Sequence, residues 1–320
     1  MGLSKIIKNL TVTFLLLSGL TLLLPDRQAQ DKLLYIETRV LMGTFVKVVS
    51  PDKRAPGIVF NEIGRIEKLL SKYNPQSEVS KLNESGYLKA SPETFYIINK
   101  AKEYCFATNG AFDITIEPLM RLWGLTNKQY TIPKDEQIKE TLKLIGSDKI
   151  ILHDKNNVIQ FTLSGMKIDL GAIAKGYALD CAANKLREAR VTSCLINAGG
   201  QAYCLGNYFS KPWSVGIKDP NSNRPIGTLW LTNKSVSTSG NYRQYFLKDK
   251  KRYGHILDPR LGVPVDSKIA SVTVISDQAL CADALSTAVF VLGEKEGRLL
   301  EKRFKGVSII IVEEEHVQGN

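Results

Sequence analysis

The chain has 320 residues, 43% hydrophobic and 23% charged, the proportions of a folded globular protein with enough mass for a substantial core. Its 43 Lys and Arg against 32 Asp and Glu give a formal net charge of +11. The basic residues are scattered, with no long basic tract and no nucleic-acid motif, so nucleic acid is not an expected partner and small anionic ligands are the better match.

Lys5 and Lys8 precede a charge-free, leucine-rich run from Asn9 to Pro25. A positive start followed by an apolar run, short for a membrane span, is the pattern of a secretory leader. Residues 1–30 are therefore expected to be a signal peptide or a retained N-terminal membrane anchor. Residues 31–320 are expected to form one compact domain, exported to the periplasm or another extracytoplasmic space and held at the inner membrane if the leader is kept. No cysteine precedes Cys105, which excludes a cysteine-linked lipoprotein.

In the mature chain, Leu33–Val40 and Thr44–Ser50 read as strands separated by Met42-Gly43, and Ile58–Leu70 has apolar residues at helical spacing. Leu70–Asn83 is polar and turn-rich and reads as a loop. Ser91-Pro92 starts a helix that ends at Asn109-Gly110. The following segment, Gly110–Gly124, contains Phe112 and Asp113, which suit a core aromatic and a helix cap. Pro133–Ile145 reads as a further helix, and Ile150–His153, Val158–Thr162 and Met166–Asp169 as strands.

The stretch Lys167–Asp180 ends a strand at Asp169, turns at Gly171-Ala172 and opens a helix with Lys175 on its first turn. Free helix amides, small turn residues, a lysine and a carboxylate suit a phosphate–metal group. An ordinary strand-to-helix connection has the same pattern, and the spacing matches neither standard phosphate-loop fingerprint.

Short strands follow at Cys194–Asn197, Ala202–Gly206, Trp213–Ile217, Thr228–Leu231, Ser235–Thr238, Gly254–Leu257 and Ile269–Ile275. A helix at Gln278–Leu292 and a strand at Val307–Val312 close the chain. Runs of adjacent strands with a few long helices predict α+β, with short, mostly antiparallel strands.

In this half, Asn197–Gly200 brings paired glycines after a strand, and Ser237–Tyr242 brings hydroxyls. His255–Gly262 combines an imidazole with Asp258 at a turn. Asp283 and Thr287, four apart on a predicted helix, face one side and suit a hard cation such as magnesium. The five cysteines show no zinc-type spacing and read mostly as buried thiols, with a Cys194–Cys204 bridge left open.

Taken in order, Met42-Gly-Thr44, Leu70–Asn83, Gly110–Gly124, Asp169–Asp180, Asn197–Gly200, Thr238-Ser-Gly240, His255–Gly262 and Asp283–Thr287 form a familiar series. The chain resembles the ApbE family, the FAD:protein FMN transferases, across almost all of its mature length. The resemblance implies an α+β enzyme that splits the FAD pyrophosphate and transfers FMN to a Thr or Ser hydroxyl of a target flavoprotein, releasing AMP. Such targets carry an Asp/Ser-Gly-Ala-Thr/Ser-like acceptor motif and include subunits of membrane redox pumps.

The resemblance also implies site residues. Mg2+ would be held by the Ala172 carbonyl, Asp283 and Thr287. FAD would meet Met42, Tyr73, Ala111, Phe112, Asp113, Asp169 and Lys175, with His255 and Ile256 nearby. For the chemistry, Lys175 is the expected second positive contact on the phosphates, His255 the expected base, and Asp258 its expected orienting partner. Three positions depart from the family pattern: Leu261 stands for a usual threonine, Gln201 for a common aspartate and Ile114 for a frequent proline. A metal-dependent FAD pyrophosphatase and a non-catalytic exported FAD-binding protein are the rival expectations.

Overall fold

The computed structural model describes residues 33–314 apart from 223, 242, 243 and 250. The leader expected over residues 1–30 lies outside them. Among the described residues no helix is long and apolar enough to cross a membrane.

Seven strands form the central sheet: β1 (Tyr35–Leu41), β2 (Thr44–Ser50), β3 (Cys194–Ala198), β4 (Gln201–Leu205), β5 (Lys234–Ser239), β6 (Ile269–Ser276) and β7 (Ser308–Glu313). Their order in the sheet is their order in the chain, and every neighbouring pair is antiparallel. The expected α+β class with antiparallel strands is borne out.

The helices are α1 (Ala55–Leu70), α2 (Glu78–Ser85), α3 (Pro92–Ala107), α4 (Glu117–Leu122), α5 (Asp135–Leu142), α6 (Ala174–Glu188) and α7 (Ala279–Arg303). Apolar side chains of α1, α3, α6 and α7 join those of the sheet in the main core, where Ile63, Ile97, Leu179, Val272 and Leu285 are buried. The opposite face of the sheet is covered by the hairpin Trp213–Lys218/Pro225–Leu231, whose Trp213, Val215 and Leu231 pack on Val49, Leu195, Cys204 and Val236. Helices α4 and α5 enclose a third, smaller cluster around Trp123 and Phe246.

Local chemistry explains the helix ends. Ser91 caps α3 by accepting from Thr94 N at 3.2 Å, with Pro92 in the first turn. Gly293, at φ 82, breaks the helical geometry inside α7 one residue beyond the expected end at Leu292. Two expectations are corrected. The Leu70–Asn83 loop gives way to α2, which Ser77 caps through Ser80 N at 3.0 Å. Met166–Asp169 is no ladder strand, because Asn83 supplies a substitute: its side chain accepts from Ile168 N at 2.7 Å and donates to Ile168 O at 2.9 Å. The reading of Cys194 and Cys204 as buried free thiols holds: they lie on neighbouring strands but opposite sheet faces, one in each core, and no bridge joins them.

Candidate active site

The meander brings the motifs to one end of the sheet. The Met42-Gly43 turn joins β1 to β2, Gly199-Gly200 joins β3 to β4, and β5 ends at Ser239. Gly199 has φ +60, and a Cβ there would fall 2.1 Å from Thr44 Oγ1, so only glycine lets these two turns touch.

Helix α7 runs under β5 and carries Asp283 and Thr287 to this end. Thr287 Oγ1 lies 3.2 Å from Ser239 Oγ, which lies 2.9 Å from Ser286 Oγ. Asp283, 4% exposed, accepts from Gly176 N at 2.9 Å. Ala172 lies two residues before α6, ahead of its N-cap Ile173 and outside the helical hydrogen-bond ladder. Burial raises the Asp283 pKa, against the opposing pull of the Lys175 charge, the Gly176 amide and the Gln201 side chain. The donor set is therefore a buried carboxylate, two hydroxyls and a peptide carbonyl, all hard oxygens, and it fits a magnesium-type cation. Asp283 and Thr287 stand one turn apart on α7, Asp283 reaches the start of the helix that follows Ala172 through Gly176 N, and Ser239 adds a hydroxyl from the Thr238-Ser-Gly240 block.

Lys175, on the first turn of α6, places its ammonium 2.8 Å from Gly171 O. His255 feels that charge. Its pKa is lowered, chiefly by burial and further by Lys175, against a raising contact with the Gln244 backbone. His255 Nδ1 lies 3.0 Å from Gln244 O. A carbonyl only accepts, so Nδ1 carries the proton and Nε2 keeps a free lone pair. The expected His255–Asp258 pair is not formed. Both Asp258 oxygens bind Arg260, at 2.9 and 2.7 Å, because the guanidinium two residues on offers a bidentate partner. Ile256 is buried in the main core beside His255.

The proposed flavin residues divide into an open and a buried set. Met42 (φ 50) sits in the strand turn with its amide on Glu67 Oε1 at 2.8 Å, and Tyr73 is 70% exposed. Ala111 and Phe112 are buried, Phe112 edge-on to Tyr104 with 6.2 Å between ring centroids. Asp113 is a structural hub. Its oxygens accept from Thr115 N and Oγ1 and from Ser147 N and Oγ at 2.6–2.9 Å, which leaves its side chain little capacity for a ligand. Asp169 divides its oxygens between Gly171 N, at 2.7 Å, and Lys72 Nζ, at 2.7 Å.

Lys72 is the residue that sequence reasoning missed. Its side chain is 8% exposed and is held by Asp169 and by the fully buried Glu117, with Thr126 Oγ1 at 3.3 Å. Burial works against the ammonium, but the Asp169 and Glu117 charges outweigh it and raise the pKa above the ordinary lysine value. The sequence signal was faint: a lysine beside the exposed Tyr73 and a glutamate inside the Gly110–Gly124 block.

Fold and site together define an α+β protein that gathers oxygen donors, a lysine and an open aromatic at one end of an antiparallel meander. The model of the ApbE family matches residues 42–311, and the chain belongs to that family. It is 35% identical over 289 residues to a protein of Klebsiella pneumoniae named FAD:protein FMN transferase, covering 88% of this chain and 90% of the relative. A Haemophilus influenzae protein of the same name is 32% identical, covering 76% and 74%. Among solved structures, the ApbE protein of Thermotoga maritima superposes with a TM-score of 0.82 at 35% identity, covering 88% of this chain and 94% of that one. The apo flavinyl transferase ApbE of Pseudomonas stutzeri gives 0.79 at 30% identity, covering 91% and 94%.

Proposed function

We propose that this chain is an FAD:protein FMN transferase. The acceptor hydroxyl oxygen attacks the FMN-side phosphorus of FAD, the bond from that phosphorus to the AMP phosphate breaks, and AMP leaves. The products are a phosphoester on Thr or Ser and free AMP. The reading is supported by the buried Asp283, bonded to the start of α6 at Gly176 beside Lys175 and one turn from Thr287, in a chain whose relatives bear that activity's name.

Bound Mg2+ would neutralise charge on the pyrophosphate. Asp283, Thr287 and the Ala172 carbonyl would hold it. Lys175, released from Gly171 O, would contact a phosphate oxygen. His255, neutral and with Nε2 unprotonated, would take the acceptor hydroxyl's proton. The acceptor would be an exported flavoprotein with an Asp/Ser-Gly-Ala-Thr/Ser-like motif, such as a subunit of a membrane redox pump, and the leader would place the enzyme on that side of the membrane.

The test is mass spectrometry of an acceptor peptide incubated with enzyme, FAD and Mg2+. A peptide gaining the mass of FMN less water, with AMP released, is expected. FMN and AMP with an unmodified peptide would make the chain a pyrophosphatase, and intact FAD would make it a binding protein.

A further inference from the structure

Lys72 belongs to none of the residues assigned above to metal, phosphate or base, yet it is the most completely paired lysine near them. It lies in the turn 71–77, which joins α1 to α2 and carries the exposed Tyr73. The turn's other side-chain bonds look inward, to its own helices. Asn74 Nδ2 donates to Lys68 O at 3.2 Å, Ser77 Oγ to Ser71 O at 2.7 Å, and Ser80 Oγ to Lys72 O at 3.1 Å. The Lys72 ammonium instead spans to the opposite wall, reaching Glu117 at the start of α4, Thr126 just beyond α4, and Asp169. Asp169 is fixed to Gly171 N, so this wall belongs to the same turn as the Ala172 carbonyl and Lys175.

Burying an ammonium between two carboxylates adds little net stability once desolvation is counted; what it supplies is a defined geometry. The geometry here concerns Tyr73. Its ring centroid lies 5.2 Å from Lys72 Nζ, within cation–π range, and 70% of the residue is open to solvent. An exposed ring costs binding entropy when a ligand must order it, and a tether beneath it removes part of that cost beforehand.

We propose that Lys72 is a positioning residue that pins the Tyr73 turn to Glu117 and Asp169, presetting the Tyr73 ring as a stacking face for the isoalloxazine. This rests on the FMN-transferase reading for its ligand, but the tether is a property of the free protein.

The experiment uses the mature chain with three variants. Lys72→Met alone strands two carboxylates, so the working variant is the charge-balanced Lys72→Met/Glu117→Gln, with Lys72→Arg as the conservative rescue and Tyr73→Ala as the ring control. Hydrogen exchange of residues 71–77 in ligand-free protein is expected to quicken tenfold or more in the double variant and to stay near wild type in Lys72→Arg. Unchanged exchange in the double variant overturns the tether whether or not any flavin binds. With FMN as probe, the double variant is expected to lose about tenfold in affinity and most of the flavin fluorescence quenching, as Tyr73→Ala does, while ADP binds within about twofold of wild type. Wild-type FMN affinity and quenching in the double variant would overturn the positioning role. Equal losses for FMN and ADP would also overturn it, by showing a general structural defect. A wild-type chain that binds no FMN would defeat the transferase reading, and the exchange data would still decide the tether.

Discussion

Asp180 and Asp283 each cap the helix that the other belongs to. Asp180, on α6, accepts from Ala279 N at 2.8 Å and Leu280 N at 2.9 Å, the first amides of α7. Asp283, on α7, accepts from Gly176 N of α6 at 2.9 Å. Orphan amides at helix starts attract carboxylates, and this exchange locks the two helices in one register. The register decides where Asp283 and Thr287 stand relative to Ala172 and Lys175.

The contact between these helices depends on Gly176. A Cβ there would fall 2.3 Å from Ala279 O and 2.8 Å from Asp283 Cβ. Gly176→Ala is expected to destabilise the fold by about 1–3 kcal/mol through overpacking and to weaken magnesium binding as α7 shifts. Urea denaturation and magnesium titration calorimetry check the two effects separately.

Asp180 carries a pH signature. Burial outweighs its two amide bonds and pushes its pKa from 3.8 up to about 6. A raised folded-state value means that the stability contribution is complete below the unfolded pKa and is lost as pH rises through about 6. The loss amounts to about 3 kcal/mol at 1.36 kcal/mol per pH unit. In metal-free protein, Asp180→Asn is expected to remove this decline between about pH 4 and pH 6, read from denaturation midpoints across that range.

For the cation site, Asp283→Ala removes both the carboxylate and the cap on Gly176, whereas Asp283→Asn keeps a cap acceptor. Both are expected to lose transfer by about a hundredfold or more, with Asp283→Asn the better folded. Thr287→Ala is expected to weaken magnesium binding with a smaller loss of rate at saturating metal. Steady-state kinetics against magnesium concentration separates them.

With His255 as the proposed base, the transfer rate is expected to show an acid limb. The lowered pKa of His255 keeps it neutral at neutral pH, so the transfer rate is expected to hold level there and to fall only as pH drops below the ordinary histidine value of about 6.5. His255→Gln is expected to lose that limb along with most of the rate. A kcat/KM profile from pH 5 to 8 checks both. Asp258→Asn, whose carboxylate serves Arg260, is expected to lower stability more than it shifts the profile.

The sequence by itself determined much of what lies within a few residues of its cause, though not the Ser77-capped α2. Ser91-Pro92 starts α3, the Asp283/Thr287 spacing puts two oxygens on one helix face, and the ordered blocks indicated the ApbE family. Tertiary structure alone decided which distant groups meet. Lys72 and Asp169 are 97 residues apart, and Gly176 and Asp283 are 107. Their pairing appears only once the meander has brought its turns to one end. Asn83 imitating a strand partner for Ile168 is equally invisible to spacing, because a side-chain amide can satisfy a backbone that periodicity assigns to a ladder. Proximity in sequence also misled at Asp258, where the nearer competitor was an arginine with a better-matched fork. Periodicity and capping are local interactions; buried ion pairs and metal-ready oxygens are defined by closure of the whole fold.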